Sequence, residues 1–108
     1  MNTQEKIRKQ IADNPIILYM KGTPEQPSCG FSAKAAAAIK TTGVPFAWVN
    51  VLESPFMMER LPEVSNWPTF PQLFVKGEII GGCDIVEELL MSGELAPLLK
   101  EAAAEAAA

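Results

Sequence analysis

The sequence predicts an α/β domain in which a four-stranded mixed sheet is flanked by helices. Three observations support this prediction: an apolar stretch suited to burial on both faces, a strand–helix–strand spacing around it, and a hairpin signal in the second half. The chain has 108 residues, of which 48% are apolar and 20% charged. This length and composition predict one globular domain spanning residues 1–108.

The first half of the chain is predicted to form a helix and then a strand–helix–strand unit. Asn2 to Glu5 resembles a capping box, and Asn14-Pro15 should end the helix that it starts. Ile16 to Met20 follows as a central strand. Residues 30–42 have helical spacing, and Phe46 to Asn50 is rich in β-formers. This order predicts a right-handed parallel crossover.

The second half is predicted to contain a short helix, a hairpin and two further helices. Proline in the first turn suits a helix that starts at Ser54-Pro55 and ends near Leu61-Pro62. Lys76-Gly77 is a tight-turn signal between the strands Gln72 to Val75 and Glu78 to Ile80.

The C-terminal region is predicted to be helical. Asp84 is a good N-cap for a helix from Ile85 to Met91, and a last helix should run from Glu94 to about Lys100. Residues 101–108 are alanine-rich with nothing large to bury, so we expect them to fray. The complete order of elements is that of a thioredoxin-like fold.

Composition also excludes several classes of function. The net charge of −4 argues against a nucleic-acid partner. No apolar run approaches the ~20 residues of a membrane span, and the N-terminus lacks an apolar signal core. Two cysteines without a signal peptide suit a reducing cytoplasm. Histidine is absent, which rules out His-based catalysis and His metal ligands.

The candidate reactive residue is Cys29, at the junction of a strand, a Gly/Pro loop and a helix. The helix start should favour the thiolate, and Lys21 could add a positive charge nearby. Ser32 occupies the position where a second cysteine would complete a Cys-x-x-Cys motif. Because serine cannot close a disulfide, Cys29 must pair with another partner.

Three motifs in order resemble those of the monothiol glutaredoxins of the CGFS class, in their short single-domain bacterial form. The motifs are Lys21-Gly-Thr-Pro with Pro27-x-Cys-Gly-Phe-Ser32, then Trp67-Pro-Thr-Phe-Pro-Gln72, then Gly81-Gly-Cys-Asp84. The resemblance extends from about Glu5 to Lys100. It implies a glutaredoxin-type domain that binds glutathione and transfers a [2Fe–2S] cluster.

The resemblance also implies how the cluster is held and who receives it. In the family, two protomers share one cluster, which is bound by the active cysteine of each and by two glutathione thiolates. For this chain the metal ligand would be Cys29, and the assembly a cluster-bridged homodimer. A BolA-like partner and apo iron–sulfur client proteins are implied in the same way.

The glutathione-binding residues implied by the resemblance are Lys21, Cys29, Phe31, Thr69, Phe70, Pro71, Gly82, Cys83 and Asp84. Pro71 would be cis, and the Phe70 backbone would pair with the glutathione peptide as a strand does. Gly81 and Gly82 would let the backbone approach the ligand. Asp84 would meet the γ-glutamyl amine, and Lys21 the glycyl carboxylate.

The chain departs from the family at one position of the groove. Met58 stands where the family often has an arginine that helps to hold the glycyl carboxylate. Arg60 is two residues further on, roughly 200° around a helix, so it should point elsewhere. We therefore expect a weaker carboxylate clamp.

Two questions remain open from the sequence. Cys83 is either a second redox thiol able to reach Cys29 or a residue beside the groove. The alternative function is a glutathione-dependent oxidoreductase that acts through a mixed disulfide of Cys29, a reaction that needs one protein thiol. A redox-inert interaction module is the third reading, and the intact glutathione motifs argue against it.

Overall fold

A computed structural model describes residues 2–107 and contains the predicted alternation of strands and helices. The elements are α1 (Thr3–Asp13), β1 (Ile16–Met20), α2 (Gly30–Thr41), β2 (Ala47–Asn50), a 3₁₀ turn (Val51–Glu53), α3 (Pro55–Ser65), β3 (Gln72–Val75), β4 (Glu78–Gly81), α4 (Cys83–Ser92) and α5 (Leu95–Ala107). The sheet order is β2-β1-β3-β4. β1 pairs parallel with β2 and antiparallel with β3, which pairs antiparallel with β4. The predicted mixed sheet is confirmed.

Helices cover both faces of the sheet, and each face has its own hydrophobic core. Alternate residues of β1 enter the two cores: Leu18 lies in one and Tyr19 in the other, both fully buried. α2, α4 and α5 pack on the first face, and α1 and α3 on the second. This explains why the strand is apolar at every position.

Two local signals act as predicted. The side chain of Asn2 accepts a hydrogen bond of 2.8 Å from the Glu5 amide, so it caps α1. Lys76 and Gly77 have φ values of 52° and 82°, the positive values that a two-residue hairpin turn requires. Within residues 2–107 no helix is long and apolar enough to cross a membrane.

The predicted end of α3 near Leu61-Pro62 is wrong, because the helix continues through Pro62 to Ser65. Proline removes one intrahelical hydrogen bond, but burial of Leu61 and Ser65 on either side favours continuation. The helix ends instead at Asn66, which has the left-handed φ of 56°.

The predicted end of the last helix at about Lys100 is also wrong: α5 runs to Ala107. Ala102 is 1% exposed in the first core, since a small side chain lets the helix lie close to its neighbours. Lys76 in the hairpin turn pairs with Glu105 at 2.8 Å. Tertiary contacts thus hold this segment where its own sequence offers little to bury. The expectation for Ala108 lies outside the described residues.

Candidate functional site

The loop between β1 and α2 folds back on itself and delivers Cys29 to the start of the helix. The Ser28 amide donates to the Lys21 carbonyl at 3.0 Å, and Gly22 forms a bridge with Pro27. Gly22 has a φ of 94°, and a Cβ there would lie 2.5 Å from the Ser28 nitrogen, so the turn requires glycine. The Gly22 amide also donates to Asn50 Oδ1 at 2.9 Å, which ties the loop to the end of β2.

Cys29 is the half-buried N-cap residue of α2, and its surroundings favour the thiolate. Its side chain makes no capping hydrogen bond as a thiol. The Ser32 amide has the largest effect, lowering the pKa of the Cys29 thiol because it would donate to the anion, and the Phe31 amide adds to it. Partial burial opposes this lowering. The Ser32 hydroxyl and the Lys21 charge lower the pKa of Cys29 further, by smaller amounts.

Ser32, at the position of the missing second cysteine, has a structural partner. Its side chain is 0% exposed, and its Oγ accepts a hydrogen bond of 3.1 Å from the Lys21 amide. This bond joins the end of β1 to the first turn of α2. The position is thus occupied by a buried hydroxyl that supports the loop.

The opposite wall is formed by the segment before β3 and by the β4–α4 junction. The Phe70–Pro71 peptide bond is cis, as predicted. A Cβ on Gly82 would lie 3.1 Å from the Pro71 carbonyl oxygen, and one on Gly81 would lie 2.7 Å from Ile85 Cγ1. Both glycines therefore allow other parts of the chain to pack closely against them. The sequence had suggested them only for the close approach of a ligand.

These walls enclose one groove of about 700 Å³. All nine residues proposed from the resemblance line it: Lys21, Cys29, Phe31, Thr69, Phe70, Pro71, Gly82, Cys83 and Asp84. Phe31 is 60% exposed beside the reactive thiol. The structure thus gathers the predicted residues in one place; their contacts with glutathione remain a prediction.

The sequence assigned no groove role to four further residues that line it: Pro62, Trp67, Pro68 and Ile85. The indole Nε1 of Trp67 would be 3.4 Å from a Cβ on Gly82, so this side chain packs against the β4–α4 junction while it lines the groove. Trp67 and Pro68 directly precede the cis-proline motif, and this position was the sequence signal that could have placed them in the groove.

Met58 does occupy a place in the groove wall, as the alignment with the family suggested. Arg60 lies in a separate depression with Asn2 and Gln4, and its Nη1 is 3.3 Å from Glu63 Oε1. The prediction that Arg60 points away from the groove is confirmed.

Asp84 was predicted to cap α4, and that prediction is wrong. The N-cap is Gly82, and the helix begins at Cys83, which places Asp84 in its first turn. A glycine can serve as N-cap because its backbone adopts the required extended conformation. The Asp84 carboxylate is exposed at the groove, where the helix dipole favours an anion.

Cys83 is a free thiol that is 6% exposed, and its Sγ donates to Glu87 Oε1 at 3.1 Å. Burial, followed by the hydrogen bond to Glu87 and that residue's charge, raises the pKa of Cys83 to about 11. The sequence missed Glu87 because the helix was predicted to begin only at Ile85. With the true start, Cys83 and Glu87 are four residues apart on one face.

Together, the thioredoxin-like sheet and a lone activated thiol beside a cis-proline groove define a class of thiol-dependent proteins. A family model described as Glutaredoxin matches residues 16–80. The chain therefore belongs to the glutaredoxin family, and the resemblance identified from its motifs is confirmed.

Individual relatives agree with this assignment over nearly the whole chain. Glutaredoxin 4 of Haemophilus influenzae is 55% identical over 105 residues, covering 97% of this chain and 98% of the relative. Glutaredoxin 4 of Escherichia coli is 57% identical over 103 residues, covering 95% and 90%. The solution structure of reduced poplar apo GrxS14 superposes with a TM-score of 0.79 at 40% identity, covering 94% of this chain and 93% of that one.

Proposed function

We propose that this chain is a monothiol glutaredoxin that binds glutathione in the groove and carries a [2Fe–2S] cluster between two copies of itself. The observation that carries the proposal is that the motif contains a reactive cysteine, Cys29, and a serine, Ser32, where a second cysteine would stand. The pKa of Cys29 is lowered, while the neighbouring position holds a buried hydroxyl bonded to the Lys21 amide. The reactive sulfur therefore has no resolving partner in its own motif, and an external thiol has to supply one.

The groove offers complementary groups for each end of glutathione. Lys21 provides a cation for the glycyl carboxylate, and the amides at the start of α4 suit the γ-glutamyl carboxylate. Asp84 provides an anion for the γ-glutamyl amine. In the part of the chain that the structure describes, no backbone group hydrogen-bonds to the Phe70 N–H or C=O, which leaves both free to pair with a peptide.

A [2Fe–2S] cluster as cargo needs four ligands, and this chain offers few. Between residues 2 and 107 no group of three or more Cys, Asp or Glu side chains is placed to hold a metal ion. The Cys29 thiolates of two copies and the thiolates of two glutathione molecules would complete the set. Phe31, exposed beside Cys29, would then lie where the second copy approaches.

The second candidate function is glutathione-dependent reduction of mixed disulfides, and the lowered pKa of Cys29 favours it. The Cys29 thiolate would attack the glutathione sulfur of a glutathionylated protein, whose own sulfur leaves and takes up a proton. A second glutathione thiolate would then displace Cys29 and form glutathione disulfide. The folded-back Gly22–Ser28 loop beside Cys29 would hinder that second glutathione, which favours the carrier function.

Anaerobic reconstitution with iron, sulfide and glutathione tests the two functions. The carrier predicts a coloured dimer by absorbance and size-exclusion chromatography, lost in Cys29→Ser and without glutathione. Cys83→Ser is the matched control and should keep the cluster, because that thiol is held protonated beside Glu87. A colourless monomer that rapidly reduces glutathionylated substrates would establish the enzyme instead.

The remaining proposals rest on the family resemblance. We expect apo iron–sulfur proteins as recipients and a BolA-like protein as a second partner. Both cysteines are free thiols, which suits a reducing compartment such as the cytoplasm. Mixing the reconstituted protein with an apo-ferredoxin and following the absorbance of the recipient would test transfer directly.

A further inference from the structure

Gln72, the first residue of β3, is a fully buried polar side chain directly behind the groove wall. It is 0% exposed and pairs in register with Tyr19 of β1. Its Nε2 donates two hydrogen bonds, to the Trp67 carbonyl at 2.8 Å and to the Thr69 carbonyl at 3.1 Å. An oxygen at this place would oppose two carbonyl oxygens, so the partners themselves determine the orientation of the amide.

The segment that Gln72 holds is the part of the wall that presents Thr69 and Phe70 to the groove. This segment has no regular secondary structure to fix it. Ser65 contributes at its start, where its Oγ accepts from the Trp67 amide at 3.1 Å. The Gln72 side chain provides the bonds nearer the centre of the segment.

The same side chain contributes little to folding on balance. Among residues 2–107, Gln72 Oε1 is the buried side-chain nitrogen or oxygen that has no hydrogen-bond partner. An unpaired buried acceptor destabilises the folded state by an amount comparable to what the two bonds contribute. An apolar side chain of equal length would remove that orphan acceptor but would leave the Trp67 and Thr69 carbonyls without their donor. What the amide specifically provides is therefore the position of these two carbonyls.

We propose that Gln72 is a positioning residue for the glutathione groove: through the Trp67 and Thr69 carbonyls it holds the Phe70 backbone in the orientation that pairs with the tripeptide. This rests on the proposed glutathione binding. Gln72 itself does not contact the ligand, since it lies behind the wall and does not line the groove.

The test compares three variants with the unmodified chain by isothermal titration with reduced glutathione. Gln72→Met and Gln72→Glu keep the length of the side chain and remove the two-donor amide. Leu99→Ala is the matched control, because it opens a cavity in the first core on α5, away from the groove. All are measured at a temperature where each is folded by circular dichroism.

The proposal predicts that both Gln72 variants bind glutathione about tenfold more weakly, the change expected if the released segment keeps the pairing orientation about one-tenth of the time. The amide NMR signals of Thr69 and Phe70 should shift in them. Leu99→Ala should bind as the unmodified chain does, even where it is less stable. The rate of Cys29 alkylation should not change, because the amides of α2 control it.

Three outcomes would each contradict a different part of this argument. Unchanged affinity in both Gln72 variants would refute the positioning role. An equal loss in Leu99→Ala would reduce the effect to general stability. No binding by the unmodified chain would contradict the proposed function itself, whatever the variants do.

Discussion

Cys29 and Cys83 face the same groove, and each lies at the start of a helix, yet their environments act in opposite directions. Cys29 is the N-cap of α2, and Cys83 is the first residue of α4. The pKa of Cys29 is lowered, chiefly by the Ser32 amide. The pKa of Cys83 is raised to about 11, chiefly by burial and then by Glu87. A helix start alone therefore does not activate a thiol.

The difference also bears on the role of Cys83, which the sequence left open. A thiol that is 6% exposed and donates to a carboxylate is a poor nucleophile and a poor metal ligand. This supports its reading as part of the groove wall. One groove can then contain two cysteines and still present a single reactive sulfur.

The largest expected effect is in alkylation by iodoacetamide. A pKa of about 11 leaves roughly one Cys83 in 10⁴ as thiolate at pH 7, so Cys29 should react at least about a hundredfold faster. The Cys83 rate should rise about tenfold per pH unit until pH approaches 11. Peptide mass spectrometry measures both sites, and Cys29→Ser and Cys83→Ser assign them. Equal alkylation rates of Cys29 and Cys83 at pH 7 would contradict the stated difference in their pKa values.

Met58→Arg should favour the proposed use of Cys29 with glutathione by adding a cation to the groove that contains it. A charged hydrogen bond to a glutathione carboxylate should tighten binding about tenfold, measured by calorimetry. Arg60→Met is the matched control, since Arg60 pairs with Glu63 outside the groove. If the Met58 variant binds no better, the alignment of this position with the family arginine is wrong.

Glu87→Gln should weaken the contrast by removing the charge that faces the Cys83 sulfur. Because burial is the larger cause and stays, the pKa of Cys83 should fall only part of the way. We expect alkylation of Cys83 at pH 8 to accelerate about fivefold, with Cys29 unchanged. Glu88→Gln, on the exposed side of α4, should leave both rates as they are. If the alkylation rate of Cys83 does not change in Glu87→Gln, the charge of Glu87 does not contribute to its low reactivity.

Ser32→Ala should have the smallest effect. The loss of the Lys21 amide bond should lower the free energy of unfolding by about 1 kcal/mol, measured by urea denaturation. Cys29 alkylation should slow slightly, since the hydroxyl helps to lower its pKa. Ser92→Ala, which removes an exposed hydroxyl bond at the end of α4, is the control. Cluster binding should survive, and its loss would mean that Ser32 does more than support the loop.

Much of the fold could be predicted because its signals are local. The five apolar residues of β1, the Lys76-Gly77 turn and the Asn2 cap each act through neighbours in sequence. The groove residues were also predictable, because three motifs carry them. The predictions that failed depended on contacts between residues distant in sequence. Ala102, for example, is buried because it packs into the core that β1, β3, α2 and α4 form.

The errors at the site have the same origin. Asp84 resembled a cap by residue type, but the N-cap is Gly82, which lies against Pro71, and the helix starts two residues earlier than predicted. That shift brings Glu87 into line with Cys83, a contact which the predicted boundary could not contain. Gln72 was predicted as an ordinary strand residue, and its bonds to the preceding segment follow only from how that segment turns.

The pairing of Lys76 with Glu105 has a practical consequence for anyone who wishes to watch this protein at work. β3 begins at Gln72, behind the groove, and ends next to the turn at Lys76, so Glu105 sits a full strand length away, about 13 Å. A fluorophore on the exposed Ala106 would report from the far end of the sheet. Such a dye would leave the mouth of the groove open to the proposed tripeptide, partner and cargo.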